Sequence, residues 1–172
     1  MRQIDWRLIA EITLGVVDQH TYAWSMMWSR LPKAAQYHME RGDRILVSLR
    51  SDLESEMFRT GGPRDINLFY PGSSRSPGKT YPQIYSRGPK FPAMNEEEWR
   101  ELADELAKCL ARSRLLINVL SGNVRAPTLD RAINYNRSIL RAKMQLEPIA
   151  QKQIGSWAIL YRDGGGLQEA IL

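Results

Sequence analysis

The chain holds one cysteine, Cys109, and two histidines, His20 and His38. One thiol closes no internal disulfide, and with two histidines it cannot complete the Cys and His sets that hold structural zinc. Such a composition fits a reducing interior. Cys109 falls on an apolar stripe and reads as a buried structural thiol rather than a nucleophile, and each histidine reads as an ordinary surface or boundary residue on a helix. His38-Met39-Glu40 has the H-x-E spacing of base deaminases but lacks the Cys pair that would complete their zinc site. Hydrolytic and redox chemistry therefore have little to stand on, and no catalytic residue, cofactor or metal ligand is expected.

Long apolar runs are missing too. The longest near the start, LIAEITLGVV at 8–17, contains Glu11 and is followed by Asp18, too short and too polar to span a bilayer. No small-residue cleavage site follows it, so a secretory signal is not expected. With 172 residues, 43% of them hydrophobic and 25% charged, the chain has the size and composition of one ordinary globular domain.

What is present in excess is positive charge, and it is concentrated. Residues 59–90 carry Arg59, Arg64, Arg75, Lys79, Arg87 and Lys90 against Asp65 alone, while the rest of the chain balances at 18 basic and 18 acidic residues. The whole net charge of +5 thus lies in this stretch. Most of the nine prolines and five of the twelve glycines fall in 60–94, so no helix is expected there, and only INLFY at 66–70 has the composition of a short strand. A connection of this length inside one domain is either functional or disordered.

Gly78-Lys79-Thr80 resembles the end of a P-loop. The phosphate cradle needs GxxxxGK[ST], and the position of its first glycine holds Ser73; Gly72 is one residue too early. Pro82 and the prolines after it also bar the helix that the motif must open. A nucleotide site is therefore set aside. The basic residues interleave instead with Tyr81 and Tyr85, a pattern suited to phosphate neutralisation with stacking on bases. Arginine outnumbers lysine eighteen to six, which favours bidentate phosphate contacts. A second basic set, Arg125, Arg131, Arg137, Arg141 and Lys143, faces only Asp130, with Arg137 and Arg141 one helical turn apart.

Four helices frame these features. Ile4, Leu8, Ile12, Val16, Trp24 and Trp28 recur at helical spacing over 4–29. Trp24, Met27 and Trp28 near its end are core candidates and, on the sharper reading, a self-association stripe. After Leu31-Pro32 a second helix is expected, interrupted at Gly42 and recapped by Asp43, with Ile45, Leu49, Leu53 and Met57 on one face. The third opens at Asn95 with Glu98 in a capping-box relation and stops at Gly122. The fourth is expected over 128–146, capped by Thr128 or Asp130 and interrupted by Pro148. Over 148–172, PIAQKQIGSWAILYR could continue as helix, or SWAILYR and LQEAIL could pair across DGGG as a hairpin; the expectation is helix to about Gly155 followed by a short hairpin or an extended tail.

These observations predict a mainly α, four-helix bundle-like single domain: a helical hairpin over 1–59, an extended basic loop over 60–94, a second helical hairpin over 95–147 and a C-terminal tail. The expected function is structural, sequence-independent binding of DNA or RNA with self-association. A cytoplasmic or nucleoid-associated protein, or a coat or nucleocapsid subunit within a virion, is that kind of protein. The second reading is a helical adaptor whose basic loop docks on an acidic protein surface.

Overall fold

The computed structural model describes residues 3–71 and 92–161. Helix α1 is Trp6–Trp28, α2 Tyr37–Arg59, α3 Glu96–Leu120 and α4 Ala126–Ile154, with short 3₁₀ turns at Lys33–Gln36 and Ala158–Tyr161. Among the described residues there is no strand. Every helix buries side chains in alternating steps of three and four. In α1 these are Trp6, Ile9, Thr13, Val16, His20, Ala23 and Met27; in α3 they are Trp99, Leu102, Leu106, Cys109, Ser113, Leu116 and Leu120. That spacing is the seam of helices packed at shallow angles.

α1 packs on α3, α2 on α4, α3 on α4 and α1 on α2. Side-chain bonds fix the directions. Trp24 Nε1 donates to Gln36 Oε1 (3.0 Å) and Trp6 Nε1 to Thr60 Oγ1 (3.1 Å), so α1 and α2 are antiparallel. Arg112 donates to the Gly15 carbonyl (2.8 Å) and Arg30 pairs with Glu98, so α1 and α3 are antiparallel as well. Hence α2 and α3 run in the same direction. Whatever joins them must travel back along the bundle, roughly 37 Å for a helix of this length. The long connection thus has a topological reason apart from any role in binding.

Local signals account for the helix ends. Asp5 accepts from the Leu8 N–H at 3.0 Å. At α3 the capping box forms as expected: Asn95 Oδ1 accepts from the Glu98 N–H (2.8 Å) and Glu98 Oε1 from the Asn95 N–H (3.2 Å). Gly122 and Gly155, just past α3 and α4, have φ of 78° and 71°, which glycine adopts without strain.

Several expectations are overturned. α2 runs through Gly42 without a break. A Cβ there would lie 2.9 Å from His20 Cε1 and 2.9 Å from Ser138 Oγ, so glycine serves close approach of three helices rather than a turn. α4 begins at Ala126, with Arg125 at the cap and Pro127 in the first turn, and passes through Pro148. Proline lacks the N–H that would bond the Met144 carbonyl; Met144 is 62% exposed, leaving that turn at solvent where water can satisfy the oxygen. The 66–70 stretch forms turns, not a strand. Buried Arg50 holds it, donating to the Phe69 carbonyl through Nε (2.9 Å) and a terminal nitrogen (2.5 Å) and lying 4.5 Å over the Tyr70 ring. Ala158–Tyr161 is a helical turn packed on α3, so the first arm expected of a hairpin is absent; the second arm lies outside the described residues.

Of the stripe read as core or self-association surface, Trp24 and Met27 are buried in this chain's own core, and Trp28, half-buried, stacks on Trp24 with ring centroids 5.2 Å apart.

Candidate nucleic-acid interface

Antiparallel packing of α2 on α4 brings two sets of arginines onto one face. The register is set by Arg131 Nε on Asp52 (2.8 Å) and by Gln145 Nε2 on the Ala34 carbonyl (2.8 Å). Between them lies a shallow open groove whose rim includes Arg41, Arg44 and Ser48 from α2 and Asp130, Arg131 and Asn134 from α4. Arg44 is paired with Glu40 (2.6 Å) and Arg131 with Asp52, while among the described residues Arg137 reaches only the neutral Asn134 Oδ1 at 3.5 Å. Arg41 and Arg141, both exposed, take no ion pair or hydrogen bond among the described residues.

At one end of this face stands His38, half-buried, with exposed Tyr37 edge-on to its ring at a centroid distance of 5.0 Å. Burial, then the charges of Arg141 and Arg41, hold its pKa below the usual histidine value. A helix-borne cluster of guanidinium groups beside a titratable ring, with no carboxylate ion-paired to Arg41 or Arg141 among the described residues, is equipped to take phosphate oxygens.

The residues expected from the sequence fall into three groups. Arg131, Arg137 and Arg141 lie on this face. Arg59 and Arg125 converge instead on Glu56 at the far end of α2, at 2.7 Å and 2.5 Å; the Glu56 carboxylate is 1% exposed, and the pair of arginines closes the end of α2 onto the start of α4. Arg64 is exposed in the turn after α2. Lys143 must be withdrawn from the set. It is 2% exposed, and its ammonium lies 5.4 Å from the Tyr161 ring centroid, under the C-terminal turn and away from any phosphate. Arg75, Lys79, Tyr81, Tyr85, Arg87 and Lys90 lie outside the described residues. Sequence reasoning missed Tyr37, His38, Arg41 and Arg44, which stand in a stretch of mixed charge that reads as an ordinary solvated face.

Charge of the other sign gathers at the start of α3, where Glu96, Glu97, Glu101 and Asp104 surround Arg100. Among the described residues no group of three or more His, Cys, Asp or Glu side chains is placed to hold a metal ion. None of the described helices is long and apolar enough to cross a membrane.

The other chemistry-bearing residues meet in the core. His20, expected at the surface, is fully buried. Its Nε2 lies 2.9 Å from the Met39 carbonyl, which can only accept, so Nε2 carries the proton and Nδ1 accepts from the Tyr135 hydroxyl at 2.9 Å. The Cys109 thiol stands beside the same hydroxyl. Hydrogen bonds thus link α4, α1 and α2 across the middle of the bundle. Burial drives the His20 pKa down to about 4, against a smaller opposing effect of the Met39 bond, and pushes Cys109 up to about 12. Both are neutral at pH 7, and Cys109 is a poor nucleophile. In comparisons with known proteins, the chain matches no protein-family model, no curated protein and no solved structure.

Proposed function

We propose that this protein binds nucleic acid through the sugar-phosphate backbone, without reading base sequence, and that the α2/α4 face is the helical part of the contact surface. The observation that carries this reading is that the α2/α4 register brings Arg41 and Arg141, from two different helices, beside His38, and that neither takes an acidic partner among the described residues. Unpaired like charges held together on rigid elements repel one another, and a phosphate relieves that repulsion. The 72–91 segment adds Arg75, Lys79, Arg87 and Lys90 with no acidic residue, so the connection between α2 and α3 supplies further phosphate contacts. Nucleic-acid packaging, in a nucleoid or a virion, is the setting that this chemistry suits. Self-association would use a surface other than Trp24 and Met27.

The test is binding of duplex and single-stranded DNA and RNA as a function of salt. Binding at low ionic strength should fall steeply with added salt, and Arg41→Ala and Arg141→Ala should each lower the slope of log K against log salt by about one. The Arg75, Lys79 and Arg87 triple alanine variant should weaken binding without preference among sequences. Failure to bind any of the four nucleic acids at low salt sinks the reading. The acidic start of α3 supports a second one, in which the basic segment docks on carboxylates of a protein; particle mass and absorbance ratio of freshly isolated protein separate the two.

A further inference from the structure

His38, Arg41 and Arg141 have no role in holding the bundle together that their contacts reveal. His38 Nδ1 is enclosed and takes no hydrogen bond. Among the described residues Nε2 takes none either, yet it is not enclosed, so any ligand meets the ring through Nε2. Arg41 approaches from one turn further along α2 and Arg141 from α4, each close enough to depress the ring's protonation. The nearest acid in sequence, Glu40, is turned to Arg44 at 2.6 Å and does not serve this group. Tyr37, 52% exposed, stands edge-on beside the ring, and Gln145 ties the entry of α2 to α4. With Gln145 fixed on Ala34, the antiparallel register of the two helices brings Arg41 and Arg141 beside the His38 ring, which the exposed Tyr37 flanks.

We propose that His38, Arg41 and Arg141 form a phosphate subsite that grips one phosphodiester of a nucleic-acid strand, with Tyr37 as the surface on which the adjoining base stacks. Arg41 and Arg141 supply charge-assisted hydrogen bonds to the non-bridging oxygens, and His38 Nε2–H donates a third. An anion here reverses the balance on the ring. Arg41 from its own helix and Arg141 from α4 disfavour the imidazolium, and a bound phosphate favours it, so binding takes up a proton. Affinity then rises as pH falls through the range in which bound His38 is protonated and free His38 is not. This subsite rests on the nucleic-acid reading only for the source of the phosphate.

With two histidines, proton NMR resolves both rings, and buried His20 reports whether the fold is intact. Titration of His38 should be followed free, with a short oligothymidylate, and with inorganic pyrophosphate. The expected result is a rise in the His38 pKa on adding the oligonucleotide, with affinity increasing up to tenfold for each unit of that rise as pH is lowered. Arg141→Gln and Arg41→Gln should abolish the rise while leaving the His20 signal in place; Arg64→Gln should not affect it. If the oligonucleotide binds but His38 and both variants are indifferent, the subsite is overturned and the nucleic-acid reading stands. If pyrophosphate moves His38 and oligonucleotides do not bind, the subsite stands as a site for free phosphates and the nucleic-acid reading falls. If neither ligand moves His38 and neither binds, both fall.

Discussion

Acid should loosen this bundle through one residue. His20 sits at the centre of the four helices, its pKa brought from 6.5 to about 4, chiefly by burial. Because the unfolded chain binds a proton at His20 that the folded chain refuses, stability is complete above pH 6.5 and is lost as pH falls toward 4. The full loss is about 3 kcal/mol, of which about 2 kcal/mol is gone by pH 5. For a domain whose total stability is on the order of 5–15 kcal/mol, that is a large share. In urea the midpoint should fall by about 1 M between pH 7 and pH 5, for a slope near 2 kcal/mol per M. The comparison that isolates the residue is His20→Gln, which keeps a donor for the Met39 carbonyl but has nothing to titrate. The variant will be less stable at pH 7, and the gap between the two proteins should narrow by about 2 kcal/mol at pH 5. His38 titrates in both and cancels. The carboxylates do not intrude: Glu56 and Glu105, whose burial is outweighed by hydrogen bonds from Arg59 and Lys108, have lowered pKa values and lose their contribution only below the usual carboxylate range. Parallel pH profiles for the two proteins would refute the buried, neutral His20.

Three further outcomes are expected. Gly42→Ala, which intrinsic helix propensity would favour, should instead destabilise by about 1–3 kcal/mol in thermal or urea unfolding, because the new methyl meets His20 and Ser138 at 2.9 Å; adding Ser138→Ala should recover part of the loss, and a stabilised single variant would contradict the packing. Asn95→Ala should cost about 1 kcal/mol by removing the cap of α3, seen as faster hydrogen exchange in that helix's first turn. Glu56→Gln should cost about 1–3 kcal/mol, since it leaves Arg59 and Arg125 converging without a carboxylate between them; no change in urea midpoint would show that this pair of contacts does not join α2 to α4.

Both ends of α3 and the end of α4 at Gly155 were legible because they are decided within four residues. Asn95 and Glu98, the glutamates after Asn95, Gly122 and Gly155 act on backbone groups of their own turn, so their meaning does not depend on what packs above them. The mainly α character and the number of helices followed from spacing alone. The stripe of α1 was read one step off: Ile4, Leu8 and Ile12 repeat every four residues, yet Leu8 is exposed and the buried line runs through Trp6, Ile9, Thr13 and Val16. Two polar residues in that line, Thr13 and His20, hide the repeat from a count of apolar side chains.

The candidate site was half visible. Arg137 and Arg141 declare themselves one turn apart on one helix, whereas Arg41 and His38 stand about a hundred residues earlier, and no local signal joins the two pairs. Only the antiparallel register of α2 on α4 does so, and it also decided that Gly42 is a contact point, that Trp24 and Met27 are core, and that Lys143 is buried beneath Tyr161. The amino-acid sequence by itself determined helix count, the capping box of α3, the glycine stops after α3 and α4 and the location of net charge, because these depend on neighbours along the chain. Which charges stand together, and which apolar side chains remain outside, was decided by helices distant in sequence meeting in space, where burial and close approach override local preference.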